Sequence, residues 1–242
     1  MRFLRMLWFN IKQFVAVTYF VQSIIITTIA SCIIQWLAVR AWGADAQQAC
    51  MRGALIGMWT STLFSAGSIG FERFKGTLVY LISMSRTPLI TLAILVSSAA
   101  CFGLIAFPIA QLCWFIMSGS LFISNPMMLL LVWIACSSIA LVVASLFVLT
   151  PNAIAYEGLL FVPALFFSGI VISISAFPVG MSKALLLLNP LALPATSLLG
   201  GRLYGINPLM SLLVSMLWMI VAYALGKYAI KRATVHGTLE LI

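Results

Sequence analysis

What most constrains this chain is where its charges are missing. Uncharged runs cover residues 13–39, 53–71, 87–156, 158–182 and 203–226. Soluble domains carry about 25% charged residues. Here charged residues make up 7% of the 242 and hydrophobic residues 64%. No polar block is large enough to form a separate soluble domain, so the sequence reads as a single membrane domain over 1–242. About 20 apolar residues span a hydrocarbon core. Within that core the backbone must satisfy its own hydrogen bonds, which leaves helices or closed barrels. Barrel strands would read as alternating segments of roughly ten residues, and none is visible. The expected fold is an all-α integral membrane protein.

The run 87–156 is 70 residues long, too long for one pass. It breaks at "SGSLFISNP" (Ser118–Pro126), where Gly, Ser, Asn and Pro mark a turn. Six spans result, at about 15–39, 52–70, 89–117, 127–149, 156–176 and 207–226. Six spans put both termini on one side. That side holds Arg2, Arg5, Lys12, Arg73, Lys75, Arg86, Lys227, Lys231 and Arg232, nine of the 13 Lys and Arg; Arg40, Arg52, Lys183 and Arg202 are the other four. Positive charge favours the cytoplasm, so both termini and the tail 227–242 are expected there. The net charge of +9 is thus read as a topology signal and not as a nucleic-acid surface.

Residues 1–14, "MRFLRMLWFNIKQF", set Phe3, Leu4, Leu7, Trp8 and Ile11 on one helical side and Arg2, Arg5 and Lys12 toward the other. Such a basic amphipathic helix is expected to lie in the membrane interface. The first apolar run exceeds the usual signal-peptide core of about 7–15 residues and is read as a retained span. Cys32, Cys50, Cys101, Cys113 and Cys136 form no C-x-x-C pair and read as small apolar fillers.

The missing chemistry is informative. Asp45, Glu72, Glu157 and Glu240 are the only acids, and none falls at mid-span. Ion-driven carriers usually need ionisable groups inside the membrane. The lone His236 has no partner motif, and no phosphate-binding G-x-x-x-x-G-K-[ST] loop occurs. If this chain moves cargo actively, the energy must enter through a protein contact. Glu157 opens the fifth span, where the helix dipole favours an acid.

Two segments stand out. "GFERFKGTLVYLISMSRTP" (Gly70–Pro88) gathers Glu72, Arg73, Lys75 and Arg86 between two apolar runs. It offers interface charges, a turning glycine, an apolar anchor and Pro88 to start the next span. The segment Ser168–Asn207 is apolar but broken by Gly169, Pro178, Gly180, Pro190, Pro194, Gly200 and Gly201. It suits a re-entrant external hairpin better than a seventh span, which would put the C-terminal charges outside. A path-lining or a packing role remains open for Trp59, Thr60, Ser61, Thr62, Phe64 and Ser65.

Gly70–Pro88 resembles the E-R-x-x-G-T-L element of the type 2 ABC transporter permease family, the membrane subunits of bacterial ABC exporters. Leu165–Gly201, "LFFSGIVISISAFPVGMSKALLLLNPLALPATSLLGG", is similar to that family's segment after the fifth span. The resemblance implies an ATP-driven exporter permease in the bacterial cytoplasmic (inner) membrane, for an amphipathic drug, peptide or lipid-like cargo. It implies as partners two copies of an ATP-binding subunit, a second permease, the same or homologous, and membrane lipid. ATP and Mg would sit on the ATP-binding subunit, with no cofactor on this chain and no catalytic or metal site. It assigns coupling to Glu72, Arg73, Lys75, Gly76 and Thr77, and an external gate to Phe167, Ser168, Gly169, Pro178, Asn189 and Pro190. The family often carries an acid where Phe74 stands, so the docking geometry is expected to differ here. A small secondary carrier or channel, or a membrane immunity or assembly protein without transport, stand as the alternative readings.

Overall fold

The structure is a computed structural model describing residues 2–84, 87–122, 124–150 and 153–236; of the side chains at 2–4, 153–155, 157 and 236 nothing is described. Helices α1 (Arg2–Ala16), α2 (Thr18–Trp42), α3 (Ala46–Phe74), α4 (Leu78–Ser83), α5 (Pro88–Phe102), α6 (Ala106–Ser118), α7 (Pro126–Leu149), α8 (Ala153–Phe166), α9 (Val179–Leu188), α10 (Ala192–Leu198) and α11 (Met210–His236) follow in chain order. Among the described residues there is no strand.

Among the described residues, five helical segments are long and apolar enough to cross a membrane: α2, α3, α5 with α6, α7 and α11. The α5–α6 pair runs Pro88–Ser118, joined by a single 3₁₀ turn at Gly103–Ile105. The sequence reading of the fifth span, 156–176, is not met as one helix. α8 stops at Phe166 after 14 residues, or about 21 Å at 1.5 Å per residue, short of the roughly 30 Å hydrocarbon core. The cause is local. Gly169 adopts φ +85°, and the Ser168 N–H turns to Leu165 O (3.1 Å), leaving the helical pattern. The apolar piece after it forms α9 and α10, bent by 111° about Asn189–Leu191. The other deviations lie at the ends. The connection left between the first two expected spans, 40–51, shrinks to Gly43–Asp45, because Asp45 accepts the Gln48 N–H (2.9 Å) and starts α3 early. The C-terminal Lys227, Lys231 and Arg232 ride on α11, which continues to His236. Glu240 lies outside the described residues.

α3 and α7 form the centre of the molecule. In its most apolar stretch α3 is 67% buried, against 22% for the peripheral α2. Close approach is made with small residues, as expected where lipid removes the hydrophobic drive between helices. Gly53 and Gly57, four apart on α3, face Cys32 and Thr28 of α2. A Cβ at Gly57 would meet Thr28 Oγ1 at 2.0 Å, and Ser31 Oγ donates to Gly53 O (3.0 Å). Three of the α3 hydroxyls are engaged in packing. Ser61 Oγ donates to Ala99 O of α5 (2.5 Å), Ser65 Oγ to Val96 O, and Thr62 Oγ1 back to Met58 O (3.3 Å). All three side chains, and Trp59, are buried within this one chain. Ser145 Oγ of α7 bonds Ala222 O of α11 (3.0 Å), where Gly226 lets Leu89 and Ser145 come close. Cys32, Cys50 and Cys136 are buried, and all five cysteines are free.

At the chain start, α1 breaks from α2 at Val17 and leans on α5. Phe14 stacks on Phe20 of α2 (5.4 Å), which also touches Phe64 (5.3 Å) and Phe71 (6.0 Å) of α3. Leu7 and Ile11 are half-buried on that packed side, whereas Trp8 and Phe9 stay exposed.

The Gly57 contact sets a stability prediction. Gly57→Val should cost about 1–3 kcal/mol through overpacking, read as a lowered unfolding midpoint of the detergent-purified chain. Gly180→Ala, on a helix with open space around the added Cβ, should leave that midpoint within error.

Candidate functional site

The C-terminus of α3 closes in a left-handed turn. Gly76 has φ +72°, its N–H bonds Arg73 O (2.9 Å), and the Thr77 N–H bonds Glu72 O (3.0 Å). This pair of bonds is the Schellman arrangement, and it needs a residue free of a Cβ penalty at the αL position. Thr77 Oγ1 contacts both the carbonyl and the carboxylate of Glu72, locking the acid over the turn. Lys75 Nζ sits over the Phe71 ring at 4.2 Å. α4 is anchored by buried Leu78 and Ile82, one turn apart, while Phe74, Tyr80 and Met84 point outward. Pro88 opens α5 as expected; Ser85 and Arg86 lie outside the described residues. Between α1 and α4 runs a groove of about 570 Å³ whose lining includes Phe9, Asn10, Gln13, Glu72, Thr77 and Tyr80.

Four of the five residues assigned to coupling, Glu72, Lys75, Gly76 and Thr77, are half-buried or exposed at this turn. Arg73 is not. It is 2% exposed and points into the molecule. Its Nη2 donates to Val148 O (2.7 Å) and its Nη1 to Thr150 O, at the end of α7. The last carbonyls of a helix lack intrahelical donors, and the guanidinium fork supplies two. The sequence did hold the signal. Thr62, Ser65, Ala66, Ile69 and Arg73 lie at spacings of three and four, so Arg73 ends the buried stripe of α3.

At the other end of the molecule, the six residues assigned to the gate fall around the α8–α9–α10 turns. Ser168 is fully buried, and its hydroxyl joins Leu165 O (2.6 Å) and the Ile170 N–H (3.2 Å). Asn189 Nδ2 donates to Ala164 O (3.0 Å), a carbonyl that the turn at Ser168 strips of its helical partner, and Asn189 Oδ1 accepts the Leu191 N–H (3.0 Å). Pro190 is buried beside it, and Pro178 precedes α9. The Phe167 ring meets Phe177 at 6.3 Å. Sequence reasoning missed two supports. Ser182 Oγ lies within reach of Ile174 O (2.8 Å) and Phe177 O (3.1 Å), and Trp218 Nε1 of α11 donates to Leu188 O at the end of α9 (3.0 Å).

A family model described as ABC-2 type transporter matches residues 1–203, from α1 through α10. The chain belongs to the ABC-2 type transporter membrane family. The permease is therefore a multi-pass membrane component of a transporter and not itself an ATPase, and its family normally works with an ATP-binding subunit. Neither the comparison with curated proteins nor that with solved structures returned a match. The match takes in both turns described above and ends just before α11.

The permease's Arg73 yields a sharp prediction. Hydrogen bonds to charged groups contribute about 1.5–3 kcal/mol each, so Arg73→Ala should lower unfolding free energy by about 2–4 kcal/mol and reduce the amount of folded protein recovered. Glu72→Gln, at a half-exposed turn, should cost under about 1 kcal/mol. Thermal unfolding of the detergent-solubilised variants measures both.

Proposed function

We propose that this permease is the membrane subunit of an ATP-driven exporter in a bacterial cytoplasmic membrane, paired with a second permease and two ATP-binding subunits. The observation that carries the reading is the turn at Phe71–Met84. It is a short, bonded, non-spanning element held between two spans, with Phe74, Lys75, Tyr80 and Met84 outward. An element built to receive force needs that rigidity. Glu72, Lys75, Gly76 and Thr77 form the contact with the ATP-binding subunit. Arg73 serves as a positioning residue, because its bonds to α7 pass a displacement of the turn directly into the central helix pair. Phe74 puts an aromatic anchor where relatives often carry an acid, so an apolar pocket on the ATP-binding subunit receives it.

The orientation rests on the nine-to-four distribution of Lys and Arg. With α8 counted as the sixth crossing, ending at the Gly169 turn beside Arg52 at the far end of α3, it puts the α3–α4 turn and both termini in the cytoplasm, with α1 in the interface. The α9–α10 pair then enters the membrane from outside and returns, capping the exit of the path. Phe167, Ser168, Gly169, Pro178, Asn189 and Pro190 shape that cap. The apolar composition of the spans favours amphipathic cargo. ATP and Mg belong to the partner subunit.

Two measurements test this reading. In a cysteine-free background, a cysteine at Thr234 should resist a membrane-impermeant thiol reagent in intact cells, and one at Ala44 should react; the reverse pattern would sink the orientation. Phe74→Ala and Lys75→Glu should leave the purified permease as stable as wild type but lose co-purifying ATP-binding subunit about tenfold or more, as truncation of a buried anchor does. Full retention of that subunit in both variants would remove the turn from the docking surface.

A further inference from the structure

At the end of α3 opposite Gly76 is a cavity of about 260 Å³ lined by α3, the Gly169–Ser175 turn and the end of α10. Its wall carries Arg52 and Arg202 together with Gln48, Ser173, Ser175 and Thr196, and among the described residues it holds no carboxylate. Asp45 starts the same helix and accepts the Gln48 N–H at Oδ1, but it is not among the residues that line the cavity. Two guanidinium-bearing residues thus meet in one concavity with nothing on its wall to neutralise them.

The polar atoms of that wall are under-used. Thr196 is 5% exposed, yet its Oγ1 has no hydrogen-bond partner among the described residues, and neither does the buried Arg52 Nε. A buried hydroxyl without a partner costs about 1–3 kcal/mol, so each such atom calls for an explanation. The backbone keeps the space around Thr196 bare. α10 ends in a second Schellman turn, with the Gly200 N–H on Ser197 O (3.2 Å) and the Gly201 N–H on Thr196 O (2.8 Å). A Cβ on Gly169 would lie 3.0 Å from Thr196 Oγ1, and one on Gly201 2.7 Å from Thr196 Cγ2.

We propose that this cavity binds a phosphate-type oxyanion, held by the guanidinium groups of Arg52 and Arg202 and by the hydroxyl of Thr196. Arginine's planar fork suits tetrahedral oxyanions, and such an anion supplies acceptors for Arg52 Nε and Thr196 Oγ1 at once. The volume admits one phosphate with a short substituent. A free phosphate compound and a phospholipid headgroup share this chemistry. The site stands on its own geometry and does not require the coupling reading above.

The test uses the full-length chain purified in a neutral maltoside detergent. Sodium phosphate is titrated by calorimetry against sodium chloride at equal ionic strength. In parallel, the chain in phosphatidylcholine nanodiscs doped with phosphatidylglycerol is analysed by native mass spectrometry for retained lipid. Arg202→Gln, in an exposed turn, and Arg52→Gln should each weaken binding about tenfold or more. Thr196→Val, which keeps the side-chain shape, should weaken it severalfold. Lys183→Gln, a cation outside the cavity, should bind as wild type, and unfolding midpoints check that the variants remain folded. Residue-dependent phosphate binding supports a soluble ligand. Dependence seen only in phosphatidylglycerol retention supports a headgroup. If neither readout changes in Arg202→Gln and Thr196→Val, the proposal is overturned.

Discussion

Every break in this chain that falls within the hydrocarbon must find hydrogen bonds without help from water. Hydrocarbon supplies no donor or acceptor, and an unpaired backbone group there costs several kcal/mol. The structure meets this demand at one helix end after another. Arg73 serves the carbonyls at the end of α7, Asn189 serves Ala164 O near the end of α8, and Trp218 serves Leu188 O at the end of α9. Ser182 stands under the 3₁₀ turn before α9. Gly76 and Gly200 close α3 and α10 through backbone bonds, joined at the first by the Thr77 hydroxyl. These few polar groups decide where the apolar chain is permitted to turn.

The same requirement shapes how the permease can move. α3 is 29 residues long, about 43 Å at 1.5 Å per residue, and both bonded ends of the molecule hang on it. One end carries the bonded turn at Gly76, tied by Arg73 to α7. The other carries Gln48 and Arg52 beside the folded α8–α10 segment. Between them the helix is buried on glycine and hydroxyl contacts too close for sliding by small amounts. Packed helices of this kind shift as units and not by local deformation. In the proposed reading, a force applied at the Gly76 turn would reach α7 and the far cavity through one stiff element.

The helical class, the turn at Ser118–Pro126, the turning glycine at Gly76 and the broken course of Ser168–Asn207 were all legible in the residues. Each depends on neighbours a few positions away, on apolar run length, or on the conformational habits of Gly and Pro. The interior role of Arg73 was half legible. Its spacing from Thr62, Ser65, Ala66 and Ile69 announced a buried position, but an arginine next to Glu72 and Lys75 reads as a surface charge until α7 is seen to end beside it.

Composition and periodicities of a few residues were enough to specify the solvent, the helical class and the charge asymmetry across the chain. That Asn189 repairs the Ala164 carbonyl, and that Arg52 shares a cavity with Thr196 and Arg202, is visible in the folded chain alone. Those facts join positions 25 to 150 residues apart. Whether a polar group is a liability or a tie depends on which orphaned atom lies opposite it, and local pattern carries no record of that distance.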